Sequence, residues 1–203
     1  MAWDTLPTDA VIQDTVAALK KRGIDAEVVA DKGEVLERLK ALIPPGGQVM
    51  SGGSTTLDEI GLTPYLRSGS HPWRSMRDDI QAEKDPTKRA ELRRKAGTSE
   101  YFLGSIHAIA RTGEVVVVSQ SGSQQGAYVY DSPHVIWVAG AQKIVPDLAS
   151  ALRRVREYCL PLEDQRVKKL GIAGSSIGKL LIFEQESTPH RITLILVKEK
   201  VGV

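Results

Sequence analysis

The sequence predicts an α/β fold: one domain over residues 1–203, with a mostly parallel sheet of six to eight strands and helices on both faces. Three observations predict it. Helical and strand periodicities alternate from Thr8 to Ile60, the order that builds parallel sheets. Val115-Val116-Val117-Val118 is apolar at every position, which favours a strand buried on both faces beneath helices. Three apolar strands are each followed by small-residue loops: Ser51-Gly52-Gly53-Ser54-Thr55, Ser121-Gly122-Ser123-Gln124 and Gly140-Ala141-Gln142-Lys143. Loops at the carboxyl ends of strands form the ligand crevice of such sheets.

Taken in order, Thr8 and Asp9 cap a helix whose Val11, Ile12, Val16 and Leu19 share a face, and Gly23 stops it. Ile24 to Ala30 reads as a strand. Val35, Leu36, Leu39, Leu42 and Ile43 stand at helical spacing, and Pro44-Pro45-Gly46-Gly47 ends that helix. Gln48 to Met50 closes a short buried strand, Ser51 to Thr55 is a loop, and Thr56 to Ile60 begins a helix. Pro64 to Pro72 reads as a loop. Trp73 to Ala96 is a charged helical hairpin interrupted at Asp85-Pro86; it is either a solvated cover over the sheet edge or a partner subunit, or a lid that brings a cation to a bound anion. Tyr101 to Ile106 and Glu114 to Ser119 are strands, and the Thr112-Gly113 turn pairs them as an antiparallel hairpin set into the sheet. Val135 to Ala139 is a buried strand, Gly140 to Val145 a loop, and Pro146 to Cys159 a helix. Leu180 to Glu184 and Ile192 to Val197 are the last strands, joined by Gln185 to Arg191.

Charge excludes some partners. The 27 basic and 25 acidic residues leave +2, too weak a field to attract nucleic acid or an anionic membrane. The first residues are acidic where a signal peptide is basic, and no apolar run approaches about 18 residues, so a soluble cytoplasmic protein is expected. The single cysteine, Cys159, rules out an internal disulfide and a thiolate metal site built from this chain alone. It continues the stripe Leu148, Leu152, Val155, which predicts burial.

The strand, glycine loop and helix start at Gln48 to Leu62 predict an anion pocket, because unpaired N–H groups and a helix dipole converge there. Gly52, Gly53, Ser54, Thr55 and Thr56 would grip the anion, with Gly122, Ser123, Gln124, Gly140 and Lys143 lining the opposite side. Structural readings stand beside these. Thr56-x-x-Glu59 satisfies the capping-box pattern, glycine loops are often tight turns, and a loop lysine is usually solvated. Neither a Walker loop nor a Gly-x-Gly-x-x-Gly fingerprint is present. His107, just past a strand end, is either an acid–base residue near neutral pH or a brace for a neighbouring loop. His71, His134 and His190 flank prolines without ligand spacing, so no metal is assigned.

Four stretches, IPPGGQVMSGGSTTLDEIGL, SEYFLGSIHAIARTGEVV, HVIWVAGAQKIVPDLASALRRVRE and HRITLILVKEKVG, resemble the lactate-utilisation (LUD) domain family. The resemblance implies a fold similar to the ribose-phosphate isomerases, glucosamine-phosphate deaminases and CoA transferases. It likens Gly52-Gly53-Ser54-Thr55 to the isomerases' phosphate loop. SIHAIARTGEVVVVSQSGS is similar to a region of methylthioribose-phosphate isomerase relatives, with His107 in place of their Asp and Ser119-Gln120 in place of Asn-Lys. LUD members usually carry Asn at the positions of His107 and Gln142, and Gly-Asn-Arg at Ser123-Gln124-Gln125. Some work beside an iron–sulfur partner and have C-terminal cysteines, which this sequence lacks. No cofactor is therefore expected except iron–sulfur clusters held by an oxidoreductase partner subunit.

The function expected is an anion-binding component or subunit in L-lactate or related organic-acid utilisation, binding a small anionic metabolite and forming homo-oligomers if the hairpin is a docking face. The alternative is an isomerase or acyl/CoA-type transferase for a phosphorylated or CoA-linked metabolite, with His107 as its acid–base residue.

Overall fold

Alternating apolar side chains organise the fold, which a computed structural model describes over residues 3–203. The strands are β1 (Asp25–Val29), β2 (Gln48–Ser51), β3 (Arg74–Ser75), β4 (Tyr101–Ser105), β5 (Ala108–Ala110), β6 (Val115–Ser119), β7 (His134–Gly140), β8 (Ile144–Val145), β9 (Lys179–Phe183) and β10 (Ile192–Val197). The helices are α1 (Asp9–Lys21), α2 (Lys32–Leu42), α3 (Thr55–Glu59), α4 (Leu62–Arg67), α5 (Met76–Ala82), α6 (Pro86–Lys95), α7 (Leu148–Arg154) and α8 (Leu160–Lys169). Six strands form the main sheet in the order β1-β10-β7-β4-β2-β3, with every pairing parallel.

In β7, Val135, Trp137 and Ala139 face one core while Ile136 and Val138 face the other, and β10 divides Leu194 and Leu196 from Ile195 and Val197 in the same way. Period-2 alternation with apolar residues on both sides is what a sheet covered on both faces requires. One face packs against Val35 and Leu39 of α2, Leu57 of α3, and Leu62 and Leu66 of α4. The other packs against Ile12, Val16 and Leu19 of α1 and against a second sheet. Thr8 caps α1 through a bond from the Val11 N–H, and Gly23, at φ +77°, lets the chain leave it.

The second sheet, β8-β5-β6-β9, corrects two expectations. The antiparallel hairpin joins β5 to β6 rather than β4 to β6, and it lies outside the main sheet. Val115 to Val118 is indeed covered on both sides, with Val115 and Val117 in the core under the main sheet and Val116 and Val118 against Ala151 and Val155. Both partners of this strand are nonetheless antiparallel. Double coverage, not strand direction, is what an all-apolar run reports.

Three other boundaries move. The stretch read as a loop from Pro64 begins inside α4. Gly140 to Val145 contains a 3₁₀ turn, Ala141–Lys143, and then β8. The helix expected to end at Cys159 passes through a π-helical turn, Val155–Cys159, and continues as α8. Pro161 in the first turn of α8 lacks an N–H for an α-helical bond, and a π turn is one way a continuous helix accommodates that loss.

Candidate functional site

A cleft of about 450 Å³ opens where β2, β4 and the turn after β7 end. Gly52 to Thr56 form one part of its wall, Ser105 to His107 another, and Ser119, Gln120, Ser121, Ser123 and Gln124 a third. Lys143 forms its floor and α8 contributes a further side. Gly53 has open space around its Cα, and the N–H groups of Gly53 and Ser54 have no hydrogen-bond partner among the described residues. The helix that follows is only five residues long, so little macrodipole can form. Backbone donors and a nearby cation are left as the attractive groups.

That cation is Lys143, 1% exposed. Its Nζ donates to Thr56 Oγ1, Ser105 Oγ and the Ile106 carbonyl, each at 3.0 Å. These acceptors come from the first turn of α3, which follows β2, and from the end of β4, so the lysine ties together the segments that leave two of the strands building the cleft. No carboxylate lies within ion-pair distance of it among the described residues. Burial first, and then the charge of Arg154, lower its pKa to about 7. The ammonium is thus solvated by hydroxyls and a carbonyl; Glu59 exerts a weaker favourable pull on it but forms no ion pair with it.

A second buried cation stands behind it. Arg154, fully buried, donates from Nε to the Trp3 carbonyl at 3.2 Å and from Nη1 to the His107 carbonyl and to Cys159 Sγ at 2.9 Å. Its Nη2 has no partner among the described residues, and burial lowers its pKa. Cys159, buried as its stripe predicts, has its thiol pKa pushed up by burial.

His107 belongs to the wall rather than to a proton relay at neutral pH. Its Nδ1 accepts the Val118 N–H at 3.3 Å, which places the ring proton on Nε2. Part of its surface reaches the cleft, yet desolvation by the packed surroundings, followed by the charges of Lys143 and Arg154, lowers its pKa to about 3. Lys143 is the group here whose charge changes near pH 7.

Of the residues singled out from sequence, Gly52, Gly53, Ser54, Thr55, Thr56, Ser123, Gln124, His107 and Lys143 meet in this one cleft. Gly122 and Gly140 do not line it. Gly122, at φ +83°, turns the chain behind Ser123, with its N–H bonded to Ser119 Oγ. Gly140 packs against the end of the chain: a Cβ there would lie 2.6 Å from the Val201 N and 2.7 Å from the Glu199 carbonyl. The capping box does not form. Ser54 caps α3 through the Leu57 N–H, Thr56 Oγ1 is taken by Lys143 and Ser105, and Glu59 accepts the Gly202 N–H at 2.8 Å.

Sequence reasoning missed Ser105, whose strand-end position was the available signal, and Arg67, Arg77 and Arg166, which also line the cleft. Along the chain Arg67 falls in a stretch read as a loop, Arg77 on a charged helix and Arg166 beyond the helix read to end at Cys159, so nothing local marks them.

Comparison with known proteins matches the family model described as the LUD domain over residues 12–202. Among solved structures, a DUF162 family protein from Deinococcus radiodurans superposes with a TM-score of 0.57 at 12% identity, covering 95% of this chain and 99% of that one. That similarity shows a shared fold. The β subunit of eIF2B from Chaetomium thermophilum aligns at 15% identity with a TM-score of 0.40, covering 59% of this chain and 44% of that one, too distant to carry an argument. No curated protein matches the sequence.

Proposed function

Because the chain belongs to the LUD-domain family, we propose that it is a cytoplasmic anion-binding component or subunit in the utilisation of L-lactate or a related organic acid. No helix of the described residues is long and apolar enough to cross a membrane. The observation that carries the anion reading is the uncompensated ammonium of Lys143. A buried charge without an ion pair is costly even when hydrogen-bonded, and an anion entering the cleft would offset that cost while raising the lysine pKa. Gly53 and Ser54 would add backbone N–H bonds, and the hydroxyls of Thr56 and Ser105 would keep the ammonium oriented.

Isothermal titration of the full chain with L-lactate and pyruvate tests this reading. Affinity should fall as pH rises above about 7, where the free lysine loses its charge, and should drop by about tenfold or more in Lys143→Met. Binding that is equally strong in the variant would remove the central support.

Among the described residues, no group of three or more His, Cys, Asp or Glu stands where it could hold a metal, and Cys159 is buried beside Arg154. These donors do not suit an iron–sulfur cluster. Electron transfer, where the pathway needs it, is assigned to an iron–sulfur oxidoreductase partner.

A second reading, an isomerase or acyl-type transferase, gains one specific support. Lys143 supplies a group that titrates near neutrality inside the cleft, the property required of an acid–base catalyst. Turnover in a substrate panel should then vanish in Lys143→Met and survive His107→Asn.

A further inference from the structure

The cleft is larger than a three-carbon acid requires. At about 450 Å³ it falls among pockets that enclose ligands of drug size, whereas a lactate-sized molecule displaces on the order of 100 Å³, roughly three waters' worth of liquid. Charge is spread through this volume in two places. Lys143 lies at the floor, 1% exposed. Farther out, Arg67 of α4 is exposed and Arg77 of α5 is half-buried, and both line the same cleft. Neither arginine makes an ion pair or a side-chain hydrogen bond among the described residues. Arg166 also lines the cleft but is already bidentate on Glu163, with both contacts at 2.7 Å. Asp58, the other side-chain carboxylate in the wall, accepts from Thr63 Oγ1. With Lys143 protonated, the side chains of the lining carry two more positive than negative charges, Lys143, Arg67, Arg77 and Arg166 against Asp58 and Glu163, and the cations without an ion pair are the buried Lys143 and the more exposed Arg67 and Arg77.

We propose that the cleft takes a phosphorylated organic acid long enough to span it, with one anionic end at Lys143 and the phosphate at Arg67 and Arg77. The inference rests on the anion-site reading and adds a second anionic locus to it. Guanidinium groups suit that locus, since their fork of donors matches phosphate oxygens bidentately. A small monocarboxylate would fill only the inner part and leave both arginines idle.

Titrations of the full chain with gluconate, 6-phosphogluconate and inorganic phosphate, just below neutral pH, separate the contributions. The phosphorylated acid should bind at least about tenfold more tightly than gluconate and more tightly than inorganic phosphate. Arg67→Gln/Arg77→Gln, with an unchanged circular dichroism spectrum, should erase the advantage over gluconate by weakening the phosphorylated acid far more than gluconate. Lys143→Met should weaken both acids. Equal affinity for the two acids, an advantage that survives the double arginine variant, or inorganic phosphate binding as tightly as the phosphorylated acid would each overturn the spanning ligand. If L-lactate binds while phosphorylation brings no gain, this inference fails and the anion site stands; if no anion binds at all, the site reading fails with it.

Discussion

Lys143 shows how one residue can carry opposite meanings for stability and for binding. Its folded pKa lies near 7, below the ordinary 10.5, so between these values the unfolded chain holds more protons than the folded one. Stability of the unliganded protein therefore rises with pH across that window, by on the order of 1 kcal/mol per pH unit. Urea denaturation at several pH values from neutral to about 10 should show this slope in the wild type and a flatter one in Lys143→Met; parallel slopes would contradict it. At neutral pH the variant trades two opposing effects, since methionine removes the desolvation cost of the ammonium but leaves Thr56, Ser105 and the Ile106 carbonyl without its hydrogen bonds, so the slope and not the absolute stability is the test. His107 acts in the same direction at lower pH. Its depressed pKa means that stability is lost as pH falls below the ordinary histidine value of 6.5.

At the scale of elements, the end of the chain supports the site. Gln142 donates from Nε2 to the Val201 and Gly202 carbonyls at 3.0 and 3.2 Å and accepts the Val201 N–H, holding this segment against the turn after β7, while Glu59 of α3 accepts the Gly202 N–H. Gly202 sits at φ +67°, and a Cβ there would lie 2.0 Å from Thr56 Oγ1, the hydroxyl oxygen that accepts a hydrogen bond from Lys143. Gly202→Ala should cost about 1–3 kcal/mol through backbone strain and should also displace Thr56, weakening anion binding. Gly46→Ala is the matched control. Its φ is +81° with no atom within 4 Å of the added Cβ, so it should lower the melting temperature without changing affinity. Equal affinity losses in both variants would mean that strain alone, and not the contact with Thr56, is responsible.

At the scale of the molecule, the two sheets share one core. Trp137 of β7 packs edge-to-face on Phe183 of β9, with centroids 4.9 Å apart, and Val115 and Val117 of β6 join the same cluster. Trp73 lies in the core on the other face of the main sheet. One domain therefore predicts one transition: tryptophan fluorescence and far-ultraviolet circular dichroism should report the same midpoint in urea. Phe183→Ala should lower that midpoint, at a cost of about 3–5 kcal/mol, without splitting it. Separate midpoints would divide the chain into two units.

The sequence by itself determined the alternation of helix and strand up to Ile60, the parallel main sheet and the small-residue turn after β2, because these depend on periodicity and turn chemistry within short windows. Gly52 to Thr56 were found in this way, as was the burial of Cys159. Tertiary structure decided what depends on neighbours distant in the chain. Val115 to Val118 look the same whether covered by helices or by a sheet and a helix, so the second sheet could not be read from them. Lys143 reads as a solvated loop lysine until residues 87 and 38 positions away supply its acceptors. Thr56 and Glu59 match a capping box until Lys143 and Gly202 take their oxygens. Arg67 and Arg77 gain meaning only from the cleft they share with that lysine. Local spacing set the small-residue loop at a strand end, and long-range packing set the buried lysine beside it, because a side chain's acceptors are fixed only when distant segments meet.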